Sequence, residues 1–259
     1  MPDATPDKTV DGFNLTGKRA LVGGAETPAG RAIAGGLAEA GARLALASGL
    51  GYGEGQPKPA LPSGNGLSGA VGLTDSGSET DLVRAAVAEL GGLDILVNAS
   101  DLRQAGPFEE LTDTDLDRLV TANLTGPIRL IRAAGRAMLA EGKGGRVIQV
   151  VSMLAERGVP HTATYGATQA GLLALVKSLS LEWARQGIRV NSIGLGWMER
   201  DPLLEAAGAS SDRLLRYLPT RRFGRADEVG AIAIYLASDQ ADMMTGQTLW
   251  VDGAVMSHA

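Results

Sequence analysis

Short apolar runs alternate with longer Ala- and Leu-rich stretches from Lys18 onward, and no other feature restricts the fold as strongly. Several runs are almost continuously apolar, which is typical of strands covered on both faces. The predicted strands are 19–23, 43–47, 69–73, 94–98, 146–151, 189–194 and 248–252. The predicted helices are 28–41, 78–91, 112–140, 164–187, 202–217 and 226–238. This alternation predicts a doubly wound α/β fold, with a parallel sheet between two layers of helices.

The domain organisation is simple. Residues 1–16 are polar and predict a flexible N-terminal arm, and residues 17–259 predict a single domain. The segment 48–66 is rich in Gly and Pro, which oppose helix formation. A loop is therefore expected where a doubly wound fold normally has a crossover helix.

Composition excludes several classes of function. The net charge is −5 and no basic stripe is present, so no nucleic-acid partner is expected. The chain has no cysteine and two histidines, so no metal site is expected. No apolar run approaches the roughly 20 residues of a membrane span, and the polar N-terminus does not look like a signal peptide. These features predict no membrane association and a cytoplasmic location.

Three segments carry a family resemblance: ANLTGPIRLIRAA at 122–134, SLEWARQGIRVNSIG at 180–194, and 221–253, which ends in TLWVDG. With the order of elements, they resemble the short-chain dehydrogenase/reductase family. The resemblance implies a Rossmann-type domain with a seven-stranded sheet, NAD(P)-dependent alcohol or carbonyl chemistry, and a substrate loop at about 196–220. It also implies a homodimer or homotetramer built through helix 164–187 and the C-terminal strand region.

The family's cofactor-binding turn is altered in this chain. Gly24 and Gly30 match its first and last glycines, but the middle glycine is Pro28. Proline removes an amide donor where a phosphate would accept one, and Glu26 adds a negative charge beside it. Both changes predict weakened pyrophosphate binding.

Other cofactor positions in the family pattern are changed as well. Asn98 is kept after the fourth strand, but a family glycine three residues later is Asp101. Gly196 is kept after the sixth strand, and Arg200 stands where a threonine is usual. The acidic or basic residue that the family places after the second strand is absent from Ser48-Gly49, and Gly72-Leu73 replaces its adenine-contacting Asp.

The catalytic pattern is three-quarters intact. Asn123, Ser152 and Tyr165 match the family's Asn, Ser and Tyr, whereas Gln169 occupies the position of its Lys. Without that cation, the pKa of Tyr165 is expected to stay near the reference value of about 10. The substrate pocket is predicted to include the side chains of His161, Trp197 and Met198.

The altered cofactor positions lead to a prediction of a non-redox enzyme that needs no cofactor. In this interpretation Ser152 and Tyr165 hold an oxygen atom of a small-molecule substrate. Two alternatives remain open. One is a residual NAD(P)-dependent oxidoreductase in which Gln169 stands in for Lys, and the other is an inactive structural or regulatory subunit.

Overall fold

The computed structural model describes residues 12–49, 71–73, 78–206 and 211–257. Residues 1–11 of the predicted arm, and the predicted loop from residue 50 onward, lie outside these ranges. Residues 12–16 are packed on the domain: Leu15 is fully buried and its amide donates to the Ala40 carbonyl. None of the helices in the described ranges combines the length and the apolar character that a membrane span needs.

A parallel sheet forms the centre of the fold. Its strands are β1 (Arg19–Gly23), β2 (Arg43–Ala47), β3 (Val71–Leu73), β4 (Ile95–Asn98), β5 (Gly145–Ser152), β6 (Ile188–Leu195) and β7 (Thr248–Val251). They lie in the order β3-β2-β1-β4-β5-β6-β7, and every neighbouring pair is parallel. The predicted Rossmann-like α/β domain with a parallel sheet is confirmed. The strand order reverses between β1 and β4, where such sheets open a crevice at the carboxyl ends of their strands.

Eight helices connect the described strands. They are α1 (Pro28–Glu39), α2 (Glu79–Leu90), α3 (Asp113–Val120), α4 (Gly126–Glu141), α5 (Ala163–Trp183), α6 (Leu203–Ala206), α7 (Ser211–Tyr217) and α8 (Asp227–Ala237). One apolar core places α1 and α8 on one face of the sheet, and another places α2, α4 and α5 on the opposite face. Both layers bury Ala, Leu, Ile and Val, as the low aromatic content requires.

The predicted helix 112–140 is interrupted, which corrects that prediction. A π-helical turn, Thr121–Thr125, separates α3 from α4. Pro127 explains the interruption, because it has no amide hydrogen to donate to the carbonyl of Asn123 four residues earlier. The wider turn begins the helix again at Gly126 and places Asn123 in the interior, where it is 1% exposed.

A cluster of charged side chains connects the amino ends of β1 and β4 to the carboxyl end of α4. The Arg19 guanidinium lies 2.8 Å from Asp94 Oδ1 and 2.7 Å from Glu141 Oε2. Asp94 also accepts the Arg19 amide at 2.8 Å, and Glu141 accepts the Leu93 amide at 3.0 Å. Burial favours the neutral form of Asp94, but the bonds from Arg19 outweigh it and lower the pKa of this carboxyl; the Arg19 bond likewise lowers the pKa of Glu141.

We expect Arg19→Met to lower the free energy of unfolding at pH 7 by about 2 kcal/mol, because two partly buried carboxylates lose their cation. Arg19→Lys should cost less, since it keeps the charge and loses the two-pronged contact. Both pKa values are depressed in the folded state, so the stabilisation is lost as the pH falls through them, and Arg19→Met should flatten that dependence. Urea unfolding at several pH values measures both effects; a change below about 0.5 kcal/mol at pH 7 would contradict the prediction.

Candidate functional site

The turn after β1 meets the end of β4 at the point where the strand order reverses. Gly24 has φ of 73°, and a Cβ there would lie 2.2 Å from the Ser100 amide nitrogen. Only glycine permits this approach of two backbones. Gly30 is needed for a similar reason, because its Cβ would lie 2.1 Å from the Gly24 carbonyl oxygen. Both glycines therefore have a packing role, whatever else the turn binds.

The first turn of α1 is capped by its own sequence. Thr27 Oγ1 accepts the Gly30 amide at 2.9 Å and donates to the Gly24 carbonyl at 2.9 Å. Pro28 occupies the first helical position, where its fixed φ is favourable. Together they leave fewer amide donors at this helix end than the glycine-rich turn of the family pattern would provide.

Glu26 reaches from this turn to the end of β2. Its Oε1 accepts the Gly49 amide at 3.0 Å, and its Oε2 is buried without a hydrogen-bond partner among the described residues. Burial raises the pKa of this carboxyl, and the hydrogen bonds from backbone amides only partly oppose that effect. A carboxyl group from the turn after β1 therefore lies beside the end of β2.

The other two predicted cofactor-binding residues, Asn98 and Gly196, make contacts within the protein. Asn98 Nδ2 donates to Gln149 Oε1 at 2.9 Å, and Asn98 Oδ1 accepts the Ser100 hydroxyl at 2.6 Å. A Cβ at Gly196 would lie 2.6 Å from the Asp252 Cα, so that glycine allows β6 to end against the chain after β7.

The predicted catalytic residues lie on elements that meet at the carboxyl ends of β4 and β5. Ser152 ends β5, and its amide donates to Gln169 Oε1 at 3.0 Å. Asn123 forms two hydrogen bonds with the loop after β4. Its Oδ1 accepts the Leu102 amide at 2.8 Å, and its Nδ2 donates to the Leu102 carbonyl at 2.7 Å. Gln169 is 3% exposed, so its position is fixed by the core and by the Ser152 bond.

Tyr165 is joined to a charged cluster that the sequence analysis did not predict. Its hydroxyl donates to Asp101 Oδ2 at 3.1 Å, and the same oxygen accepts Arg103 Nε at 2.6 Å. Arg103 also pairs with Asp201, which follows β6 and is 8% exposed. The Arg103 guanidinium therefore contacts two aspartates that follow different strands.

This cluster shifts the titration of both partners of Asp101. Burial raises the pKa of Tyr165 well above its ordinary value; the Asp101 charge raises it further, and Arg103 opposes them without cancelling them. Burial alone would lower the pKa of Arg103, but the charges of Asp101, Tyr165 and Asp201 raise it well above its ordinary value. The expectation of a Tyr165 pKa near 10 is therefore wrong, because it considered the missing Lys and neither burial nor Asp101.

A cavity of about 400 Å³ opens at this edge of the sheet. Its apolar walls come from the ends of β4, β5 and β6, and its polar groups include Asp101, Arg103, Gln169, Arg200 and Asp201. The first turn of α1 closes one side. Tyr165 is 1% exposed and does not line the cavity, whereas Asp101 and Gln169 do.

The three residues predicted for the substrate pocket are not brought together. Met198 lines the cavity just described, and Trp197 lines a second cavity of about 470 Å³ beneath the substrate loop. His161 is exposed, has φ of 66°, and lines neither of these two cavities. Trp197 and Met198 thus line different cavities, and their joint contact with a substrate stays a prediction.

Sequence reasoning did not assign a role to Arg103 or Asp201. A signal for them was present, because DLR at 101–103 follows β4 and ERD at 199–201 follows β6. The carboxyl ends of parallel strands share one edge of a sheet, so opposite charges following both strands predict an ion pair across that edge.

The chain matches, over residues 24–255, the family model described as Enoyl-(Acyl carrier protein) reductase. It belongs to the short-chain dehydrogenase/reductase superfamily. The D-threitol dehydrogenase of Mycolicibacterium smegmatis is 35% identical over 250 residues, covering 93% of this chain and 94% of that protein. The gluconate 5-dehydrogenase of Gluconobacter oxydans is 30% identical over 256 residues, covering 95% and 97%. A solved gluconate 5-dehydrogenase from Burkholderia cenocepacia, in complex with NADP and tartrate, is 30% identical with a TM-score of 0.83, covering 96% and 99%.

These comparisons correct the functional prediction. The relatives are named as dehydrogenases, and one solved neighbour holds NADP, so the prediction of a non-redox, cofactor-independent protein with a degenerate site is wrong. The alternative of an inactive subunit is opposed by the same findings. The physical reason is that substitutions at single contact positions left the crevice itself in place: the Gly24 turn, the strand reversal and the cavity are all present.

We expect Gly24→Ala to lower the free energy of unfolding by about 3 kcal/mol, because the new methyl group overlaps Ala99 and Ser100 at a left-handed φ. Gly106→Ala is the matched control, since a Cβ there meets nothing within 4 Å. Urea unfolding of both variants measures the difference, and equal stability would show that the turn does not pack against β4 as described.

Proposed function

We propose that this protein is an NAD(P)-dependent oxidoreductase that interconverts an alcohol and a carbonyl group on a small polyol or sugar acid. The observation that carries the proposal is the cavity at the carboxyl ends of β4, β5 and β6, which the first turn of α1 bounds. A nucleotide in this fold lies across that edge of the sheet. The named relatives act on threitol and gluconate, which supports the substrate class.

The described residues fit the nicotinamide end of such a cofactor. Val150, Val151 and Leu195 give the cavity an apolar wall against which a flat ring can lie. Arg200 brings a positive charge to the same cavity, at a position where the resemblance places a threonine. This charge offsets part of the phosphate-binding capacity that Pro28 and Glu26 remove. When bound, the nicotinamide would supply the hydride chemistry.

Gln169 is the residue we assign to the cofactor's ribose. Its Oε1 is already committed to the Ser152 amide, so the Nε2 end is the part of the side chain that can donate to a ligand in the cavity. An amide can reproduce the hydrogen bond of the family's Lys but not its charge. The electrostatic part of that role must then come from elsewhere in the site.

We also infer that the chain self-associates through helix α5 and the β7 region. Leu181, on α5, is 83% exposed and Met243, before β7, is 95% exposed. Self-association through these elements would remove both apolar side chains from water, which favours it.

The proposal is tested by calorimetric titration with NAD⁺, NADH, NADP⁺ and NADPH, followed by assays with D-threitol, D-sorbitol and D-gluconate. We expect measurable binding of at least one nucleotide and oxidation of at least one substrate. Gln169→Glu keeps the acceptor for Ser152 and removes the donor, so it should weaken nucleotide binding about tenfold. No binding of any nucleotide by the folded wild-type protein would overturn the proposed function.

We expect Glu26→Gln to tighten nucleotide binding about tenfold at pH 8, because a carboxylate next to the phosphate-facing turn is removed. Burial raises the pKa of Glu26, so in the wild type its charge is lost as the pH falls, and NAD⁺ affinity should rise as the pH is lowered. Glu26→Gln should flatten that rise. Glu39→Gln, at the exposed far end of α1, is the control and should retain the wild-type pH dependence. An unchanged affinity in Glu26→Gln would contradict the prediction.

A further inference from the structure

We propose that the contact between Asp101 and Tyr165 is a latch, which holds the Tyr165 hydroxyl away from the cavity and opens when a nucleotide binds. The inference rests on the proposed function, because it concerns how the nucleotide and the phenol share one site. It leaves to Tyr165 the catalytic role that the family resemblance implies, and it adds a contact that controls access to that residue.

The Asp101 side chain stands between Tyr165 and the cavity. Tyr165 is 1% exposed and packs among Met153, Leu154 and Trp197. Its hydroxyl donates to Asp101 Oδ2 at 3.1 Å, and Asp101 lines the cavity whereas Tyr165 does not. A substrate in the cavity can therefore reach the phenol only after the Asp101 side chain has moved.

A network of ion pairs holds Asp101 in this position. Arg103 Nε donates to Asp101 Oδ2 at 2.6 Å, and the Arg103 guanidinium also pairs with Asp201. The Asp101 and Arg103 side chains are 19% and 18% exposed, so salt and water screen their contact only weakly. Asp201 accepts the Leu203 amide at 2.9 Å, at the start of α6. The closed latch is thus supported by groups that follow both β4 and β6.

Two features allow the latch to open. Asp101 Oδ1 is buried and has no hydrogen-bond partner among the described residues, so the closed position leaves one acceptor unsatisfied. Arg103 keeps Asp201 as a partner when Asp101 moves, so the guanidinium is not left without a carboxylate. Opening the latch therefore costs less free energy than breaking a fully satisfied buried ion pair.

The latch lies on the wall of the cavity in which we propose that the nucleotide binds. Position 101 follows β4 at the reversal of strand order, and the resemblance places a glycine there. The aspartate side chain adds volume to that wall, so it has to move when a nucleotide occupies the cavity. Nucleotide binding and release of Tyr165 are then coupled, and a variant with a weakened latch has to bind nucleotide more tightly.

The first test is the affinity of the folded protein for the nucleotide that the wild type binds, measured by calorimetry. We expect Asp101→Gly to lower the Kd about tenfold, because binding no longer breaks a hydrogen bond to a charged acceptor. Asp101→Asn keeps the size of the side chain and an acceptor oxygen, so it should lower the Kd about threefold. The second variant keeps the test valid if the glycine variant does not fold.

Glu199→Gln is the matched control. It removes one negative charge from the wall of the same cavity and does not touch the latch. Glu199 is exposed, so its charge is screened and the Kd should change by less than about twofold.

A double-mutant cycle separates the latch from the loss of charge and volume at position 101. Tyr165→Phe removes the hydroxyl that Asp101 holds. The effect of Asp101→Gly on the Kd should therefore shrink to about threefold or less when Tyr165→Phe is already present. An undiminished effect of Asp101→Gly in that background would overturn the latch.

A spectroscopic measurement tests the contact in the protein without nucleotide. The tyrosinate absorbance of each variant, minus that of the same variant carrying Tyr165→Phe, reports the ionisation of Tyr165 alone. Because the Asp101 charge raises the pKa of this phenol, Asp101→Gly and Asp101→Asn should both bring the ionisation to lower pH. Glu199→Gln should leave it unchanged. The same ionisation in wild type and in both Asp101 variants would contradict the contact.

The outcomes distinguish the latch from the proposed function. A folded wild type that binds no nucleotide would overturn the proposed function, and the latch with it. A wild type that binds nucleotide, with Asp101 variants that bind it no more tightly than Glu199→Gln does, would overturn the latch and leave the proposed function standing.

Discussion

The close contact between the turn after β1 and the end of β4 is the constraint on which the site depends. Gly24 brings two backbones together at the reversal of strand order, and the crevice follows from that geometry. Gly30, in the first turn of α1, is restricted in the same way, because a Cβ there would overlap the Gly24 carbonyl. These contacts join one part of the backbone to another. They therefore persist when the side chains that would contact a ligand are substituted. The crevice and its ligand contacts can therefore diverge independently.

Polar residues have been redistributed around this fixed crevice. The turn after β1 places the Glu26 carboxyl group beside the end of β2, and the loop after β4 places the Arg103 guanidinium beside Asp101. Arg200 adds a second cation on the cavity wall. Each of these charged groups comes from a different element than the family position that lacks a charge, so a position-by-position comparison of motifs records only losses.

The sequence was sufficient for the fold and for part of the site. Alternating apolar runs predicted the strands to within about two residues, because burial on both faces of a parallel sheet leaves a strong pattern. The break at Asn123 was missed because a π turn depends on a single absent amide at Pro127. The partnership of Asp101 with Arg103 and Asp201 was missed because it joins loops that follow different strands. The prediction of a non-redox protein was wrong for a similar reason. It considered the substituted motif residues one at a time and did not consider the crevice that the fold retains.

The charge balance of the site explains why Asp101 and Gln169 belong together. An ionised phenol at Tyr165 would lie in contact with Asp101, and both burial and the Asp101 charge raise the pKa of that phenol. Two like charges at that separation are costly in a buried site. Tyr165 is therefore held as a neutral hydrogen-bond donor. A lysine at position 169 would favour the phenolate, whereas the Gln169 amide leaves the phenol neutral and bonds the Ser152 backbone instead.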